Sequence, residues 1–264
     1  MRWATVKIAC ALTRLDSCLL VFLAVLLLIY ITNGDFHFAF KHALPMLTIC
    51  MSGFVINDLN DIDKDRENHP QSSLPSKKIS EAGASVLYFT LLAISLLTIK
   101  LYVEASYVYL YLVLLLCLVN YNYVVAYCPI LKTFYVAAVG LIPFIIISSI
   151  VQNGRSPLTV ALSLFLFLLG REMLMDILDA EGDSGTLAIA LGQKRSTAIG
   201  FTVKIIGSIC LAFSIRNETD IGIIAALVII DICFLALWSF NQYRRAIIQA
   251  MKVQLILGLY YIVR

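Results

Sequence analysis

Apolar residues in this chain gather in nine long runs: Leu19–Ile31, Ala43–Ile56, Ala84–Ile99, Tyr107–Val125, Phe134–Val151, Leu158–Leu169, Ala198–Ile215, Ile221–Phe240 and Ile247–Val263. The polar residues crowd into the short stretches between them. Several runs reach the roughly 20 residues that a helix needs to cross a bilayer, and flanking small or weakly polar residues extend the shorter ones. Barrel strands are shorter and alternate, so these lengths predict helices. The pattern reads as an all-α, polytopic membrane protein with about nine transmembrane helices.

Composition agrees with the pattern. The chain is 61% hydrophobic and 14% charged, with mean hydropathy +0.90, whereas a soluble domain is about a quarter charged. That sets aside a large soluble helical core. Arg2, Lys7 and Arg14 precede the first run, but eight runs follow and no small-residue cleavage site is evident. The first run therefore reads as an uncleaved helix rather than a signal peptide.

Charge asymmetry predicts orientation. With the N-terminus and the even-numbered loops on one side, that side holds 14 of the 20 Lys and Arg residues. The other side holds Lys41, Lys100, Arg155, Arg216 and Arg264, and Lys204 falls inside a run. The positive-inside rule then puts the N-terminus and the polar loops in the cytoplasm. The basic residues are dispersed, which speaks against nucleic acid as a partner. The seven Cys are scattered without a CxxC, and they read as small buried hydrophobes. His37, His42 and His69 lack metal-ligand spacing.

The acidic residues are concentrated instead. Eleven of the 17 lie in two segments that follow the second and sixth runs. The first holds Asp58, Asp61, Asp63, Asp65, Glu67 and Glu81; the second holds Glu172, Asp176, Asp179, Glu181 and Asp183. Asp58, Asp61 and Asp65 read DxxDxxxD, as do Asp176, Asp179 and Asp183, at a constant offset of 118 residues. If each run continues as a helix, the three carboxylates fall at about 0°, 300° and 340°, with Asn57 on the edge of that sector. Asp63 and Glu181 fall at about 140°, facing elsewhere.

Carboxylates aimed at one space repel unless cations sit among them. All the ligands offered are hard oxygens, which suits Mg²⁺. Lys64, Arg66, Lys77 and Lys78 flank the first triad, and Arg171, Lys194 and Arg195 flank the second. Carboxylates for metal beside cations for an anion describe a site for a metal–diphosphate. The chain has no GxxxxGK phosphate loop, which argues against a nucleotide hydrolase. A lipid-like diphosphate suits a membrane cavity better.

These residues resemble the UbiA-type intramembrane prenyltransferase superfamily. Its first motif, NDxxDxxxD, is matched by Asn57, Asp58, Asp61 and Asp65, and "NHPQSSLPSKKIS" is similar to the loop that follows. "REMLMDILDAEGD" is similar to the second motif, with Asp176, Asp179 and Asp183 in its Asp positions. "YCPILKT", with Tyr127 and Lys132, resembles the element after span four. There are three departures. Ser72-Ser73 stands where Arg-Pro is usual, the stretch "GDSGTLAIALG" is about four residues short, and Thr133 stands where Arg often follows the Lys.

The resemblance implies one intramembrane domain over residues 1–264, its helices around a central cavity with both motifs at cytoplasmic helix ends. It implies two Mg²⁺ ions, bridged by the diphosphate of an isoprenoid and held by Asn57, Asp58, Asp61, Asp65, Asp176, Asp179 and Asp183. Lys132, Tyr127, Arg66, Arg171 and Lys194 would contact the diphosphate. The implied chemistry is ionisation of the allylic C–O bond and transfer of the prenyl group to an aromatic or lipid acceptor. A second reading, terpene cyclisation, keeps the same ionisation and needs no acceptor. A third is a non-enzymatic cation-binding protein or transporter, which should carry its charge near the midplane. Lys204 and Asp231 are weaker functional candidates inside runs, with Lys204 also able to snorkel to the surface. Pro129 and Pro143 read as loop or kink formers.

Overall fold

The computed structural model describes residues 2–151, 157–180, 185–213 and 218–263. These residues form twelve α-helices: α1 (Arg2–Leu12), α2 (Leu15–Asn33), α3 (Phe36–Asn60), α4 (Ile62–Asn68), α5 (Glu81–Tyr102), α6 (Ala105–Tyr127), α7 (Lys132–Val151), α8 (Pro157–Leu178), α9 (Leu187–Leu191), α10 (Gln193–Phe213), α11 (Glu218–Trp238) and α12 (Arg244–Val263). Among the described residues, each of the nine apolar runs falls mainly on a helix of its own.

Local chemistry sets the boundaries. Arg14 adopts a left-handed conformation (φ 44°) and separates α1 from α2. Gly34 (φ 69°) closes α2, and Asp35 caps α3 by accepting from the backbone N–H groups of His37 and Phe38. Ser80 caps α5 by accepting from the Gly83 N–H at 3.1 Å, with Glu81 in the first turn.

Five segments are long and apolar enough to cross a membrane among the described residues: Leu15–Asn33, Phe36–Asn60, Glu81–Tyr102, Ala105–Tyr127 and Pro129–Val151. These five, among the described residues, support in part the nine spans read from the sequence. Later helices carry charge inside their length, including Arg171, Glu172 and Asp176 on α8, Lys204 on α10 and Asp231 on α11.

The chain folds as two compact units, residues 1–123 and 124–264, with the boundary inside α6. In the first, α3 packs between α2 and α5. Its core includes Val55, Leu74, Ala84, Tyr88 and Leu91, so the loop after α4 is anchored by Leu74 beneath α5. The Tyr111 hydroxyl of α6 donates to the His42 carbonyl at 3.0 Å and lies 3.1 Å from His42 Nδ1. Both residues are buried, so this pairing ties α6 to α3.

In the second unit α8 and α10 form the tightest pair, and three glycines explain it. A Cβ on Gly170 would meet the Gly200 carbonyl oxygen at 2.4 Å, and one on Gly207 would meet Phe167 N and Ser163 O at 2.8 Å. Small residues that let backbones touch are the usual means of helix association in lipid. The pairing is antiparallel: Gly200 lies against Leu174 and Gly207 against Phe167. The C-terminal end of α8 therefore sits beside the N-terminal end of α10. Phe201, Trp238, Ile248 and Met251 close the core around α8.

Candidate active site

The first Asp-rich segment forms the junction of α3 and α4. Asp61 lies between them, with φ −91° and ψ 9°. The helical ladder still passes through it: Asp61 N–H donates to Asn57 O at 3.0 Å, and Asp65 N–H to Asp61 O at 2.8 Å. The phase expected from spacing is therefore kept. Asp58, Asp61 and Asp65 are half-buried, whereas Asp63 is exposed and pairs with Arg66 at 2.6 Å. Arg66 also reaches Glu81 at 3.5 Å, so two exposed carboxylates hold this candidate diphosphate contact.

Asp58 has a partner that local spacing does not announce. Arg14 Nη2 lies 3.4 Å from Asp58 Oδ1, and its guanidinium lies over the Phe54 ring at 4.8 Å. Asn57 Oδ1 is buried without a hydrogen-bond partner. A buried acceptor left unsatisfied is costly, so it marks a place where a donor or cation belongs. Among the described residues no three Asp, Glu, His or Cys side chains form a ready-made metal cage. The fit to Mg²⁺ rests on the donors themselves: hard oxygens on one helical sector, one of them orphaned.

The second segment is built differently. α8 ends at Leu178, and Asp179 caps its last turn through a backbone bond to Met175 O at 3.1 Å. The helical phase continues to Asp179, which is exposed, whereas Glu181 and Asp183 lie outside the described residues. Asp176 is buried at 3% exposure. Lys132 Nζ meets its Oδ1 at 3.0 Å, and the Thr133 hydroxyl donates to its Oδ2 at 2.6 Å. Both oxygens of one carboxylate are thus gripped by the first two residues of α7.

One turn earlier on α8, Arg171 pairs with Glu172. The Arg171 Nε is itself buried without a partner. Tyr127, the last residue of α6, is 94% exposed. Lys194 is exposed on the first turn of α10.

Sequence reasoning overlooked Arg14 and Thr133 as partners of Asp58 and Asp176. Each stands more than forty residues from its carboxylate, and no local periodicity links them. Thr133 did carry a signal, as a departure from the familiar pattern.

Lys204 does not snorkel. Lys204 and Asp231 are both 0% exposed and pair with each other. Lys204 also donates to Gln254 Oε1 at 2.8 Å and lies 4.1 Å from the Phe167 ring centre. Asp231 further accepts from Gln254 Nε2 at 2.8 Å and from the Ser208 hydroxyl at 2.9 Å. The polar groups are matched inside α8, α10, α11 and α12, which makes this a closed structural network.

The UbiA prenyltransferase family model matches residues 17–256. The chain belongs to that family. The digeranylgeranylglyceryl phosphate synthase of Methanoregula boonei is 28% identical over 222 residues, covering 78% of this chain and 73% of the relative. The solved structure of a digeranylgeranylglyceryl phosphate synthase is similar across 98% of this chain and 97% of its own, with TM-score 0.72 and 23% identity. A UbiA homolog from Archaeoglobus fulgidus, solved with GPP and Mg²⁺ bound, covers 96% of this chain and 97% of its own, with TM-score 0.72 and 17% identity. These likenesses show a UbiA-type fold. As a UbiA-family member with curated prenyltransferase relatives, the chain is an integral membrane enzyme of the prenyltransferase class.

Proposed function

We propose that this UbiA-family chain is a Mg²⁺-dependent prenyltransferase that ionises an isoprenoid diphosphate and transfers the prenyl group to a lipid acceptor. The observation that carries the reading is the α3–α4 junction, where half-buried Asp58, Asp61 and Asp65 follow the orphaned Asn57 Oδ1 at the spacing of one helical sector. Asn57, Asp58, Asp61 and Asp65 would hold metal there, and Asp176, Asp179 and Asp183 would do so at the second motif. Bound Mg²⁺ supplies charge neutralisation to the diphosphate leaving group. Lys132, Arg171, Lys194 and Tyr127 would contact a diphosphate at the second motif with preorganised groups, and Arg66 would do so at the first. The apolar helices exclude water from the allylic cation.

The acceptor class is proposed from the relatives: a glyceryl phosphate lipid with a free hydroxyl, which loses its proton as the prenyl–oxygen bond forms. We place the N-terminus and both Asp-rich segments on the cytoplasmic side, from the distribution of basic residues.

The test is a product analysis. The purified protein is incubated in detergent with Mg²⁺ and geranyl, farnesyl or geranylgeranyl diphosphate, with and without geranylgeranylglyceryl phosphate. The expected result is prenylated lipid and released diphosphate when the acceptor is present. A cyclised hydrocarbon without acceptor would replace this reading with terpene cyclisation, and turnover with an aromatic acid alone would replace the acceptor.

A further inference from the structure

We propose that Thr133 is a positioning residue that orients the Asp176 carboxylate, a role that rests on the diphosphate-site reading above. Thr133 is 1% exposed, and its hydroxyl reaches Asp176 Oδ2 at 2.6 Å. Lys132, its neighbour at the start of α7, holds Oδ1 at 3.0 Å. Two donors on adjacent backbone positions fix the carboxylate plane, because rotating it would break both bonds at once. A carboxylate has about four acceptor sites, so each oxygen keeps capacity for one further partner.

The choice of Thr matters. An Arg at this position would bring a further full charge to a buried carboxylate already paired with Lys132. A hydroxyl supplies the same bond without that charge, and its short side chain costs little rotamer freedom to fix. The carboxylate is thereby oriented by Thr133 without a further full charge, which leaves it more attractive to an incoming metal ion than an Arg at this position would.

The experiment measures binding without turnover. Titration calorimetry in detergent follows inorganic pyrophosphate with Mg²⁺, for the wild type, Thr133→Val, Thr133→Ser, Asp176→Asn and the Thr133→Val/Asp176→Asn pair. Unfolding midpoints are read on the same samples, and Thr133→Ala replaces the Val variant if that one fails to fold. Losing a hydrogen bond to a charged group predicts roughly tenfold weaker binding for Thr133→Val, with Thr133→Ser within about threefold of wild type. On the Asp176→Asn background Thr133→Val should add nothing, since the hydroxyl acts through that carboxylate. Wild-type affinity in Thr133→Val, with only a lower unfolding midpoint, would leave Thr133 a packing residue and overturn the proposal. Multiplicative losses in the pair would overturn it too. If the wild type itself bound no pyrophosphate, the diphosphate reading would fall and take this proposal with it.

Discussion

Two charged regions of this membrane protein obey opposite rules. Around Lys204 and Asp231 each charge is sealed from solvent and matched by Gln254, Ser208 or an aromatic ring. At the α3–α4 junction the carboxylates are half-buried, Arg14 sits 3.4 Å from Asp58 Oδ1, and Asn57 Oδ1 has no hydrogen-bond partner. A satisfied buried network fixes the arrangement of four helices. Three half-buried carboxylates in one short stretch repel one another, and a bound metal ion would offset that repulsion. The same residue types therefore do structural work in one place and offer chemistry in the other.

The contrast can be broken most forcefully at the sealed network. Lys204→Met alone strands the Asp231 charge and should cost about 3–5 kcal/mol, read as a large fall in the unfolding midpoint in detergent. The pair Lys204→Met/Asp231→Leu should recover much of that stability, because an apolar pair of similar volume is often neutral.

The next effect concerns catalysis. Asp61→Ala should leave the unfolding midpoint unchanged and cut Mg²⁺-dependent diphosphate release on the order of 10²- to 10³-fold, the scale of losing one preorganised electrostatic group. Asp179→Ala should behave alike. A destabilised but active Asp61→Ala enzyme would erase the distinction between the two regions.

Arg14→Gln should have a milder effect. Removing the cation beside Asp58 leaves that carboxylate more attractive to metal, so the Mg²⁺ concentration for half-maximal activity should fall about two- to threefold. Stability should change by less than about 1 kcal/mol, as for other exposed pairs. The smallest effect is expected from Asp63→Ala, with activity within about twofold of wild type, because its exposed bridge to Arg66 lies off the shared sector. Equal losses for Asp61→Ala and Asp63→Ala would mean that the helical phase does not select the functional acids.

What was legible in the sequence follows the range of the interactions concerned. Run length alone located the helices, since lipid leaves backbone groups no other partner. The spacing of Asp58, Asp61 and Asp65 was legible because helical backbone bonds to Asn57 and from Asp65 are kept at Asp61, although α3 gives way to α4 there. Helix starts were less so: α3 begins at Phe36, ahead of the run at Ala43, because Asp35 caps it. At the second motif the helical phase can be followed to Asp179, just past the end of α8, and Asp183 lies outside the described residues. The partnerships of Arg14 with Asp58, Thr133 with Asp176 and Lys204 with Asp231 were invisible, because each joins separate helices through tertiary packing.

The glycine seam between α8 and α10 has a mechanical consequence. Backbones in direct contact share a bending stiffness that neither helix has alone, so a thinner or thicker bilayer tilts the pair as one strut. Because the seam runs antiparallel, the level of α8 near Asp176 is referenced to Gly200 on α10 by the main-chain contact at Gly170 rather than by flexible side chains alone. The register of that end of the second unit is insulated from the thickness of the lipid around it.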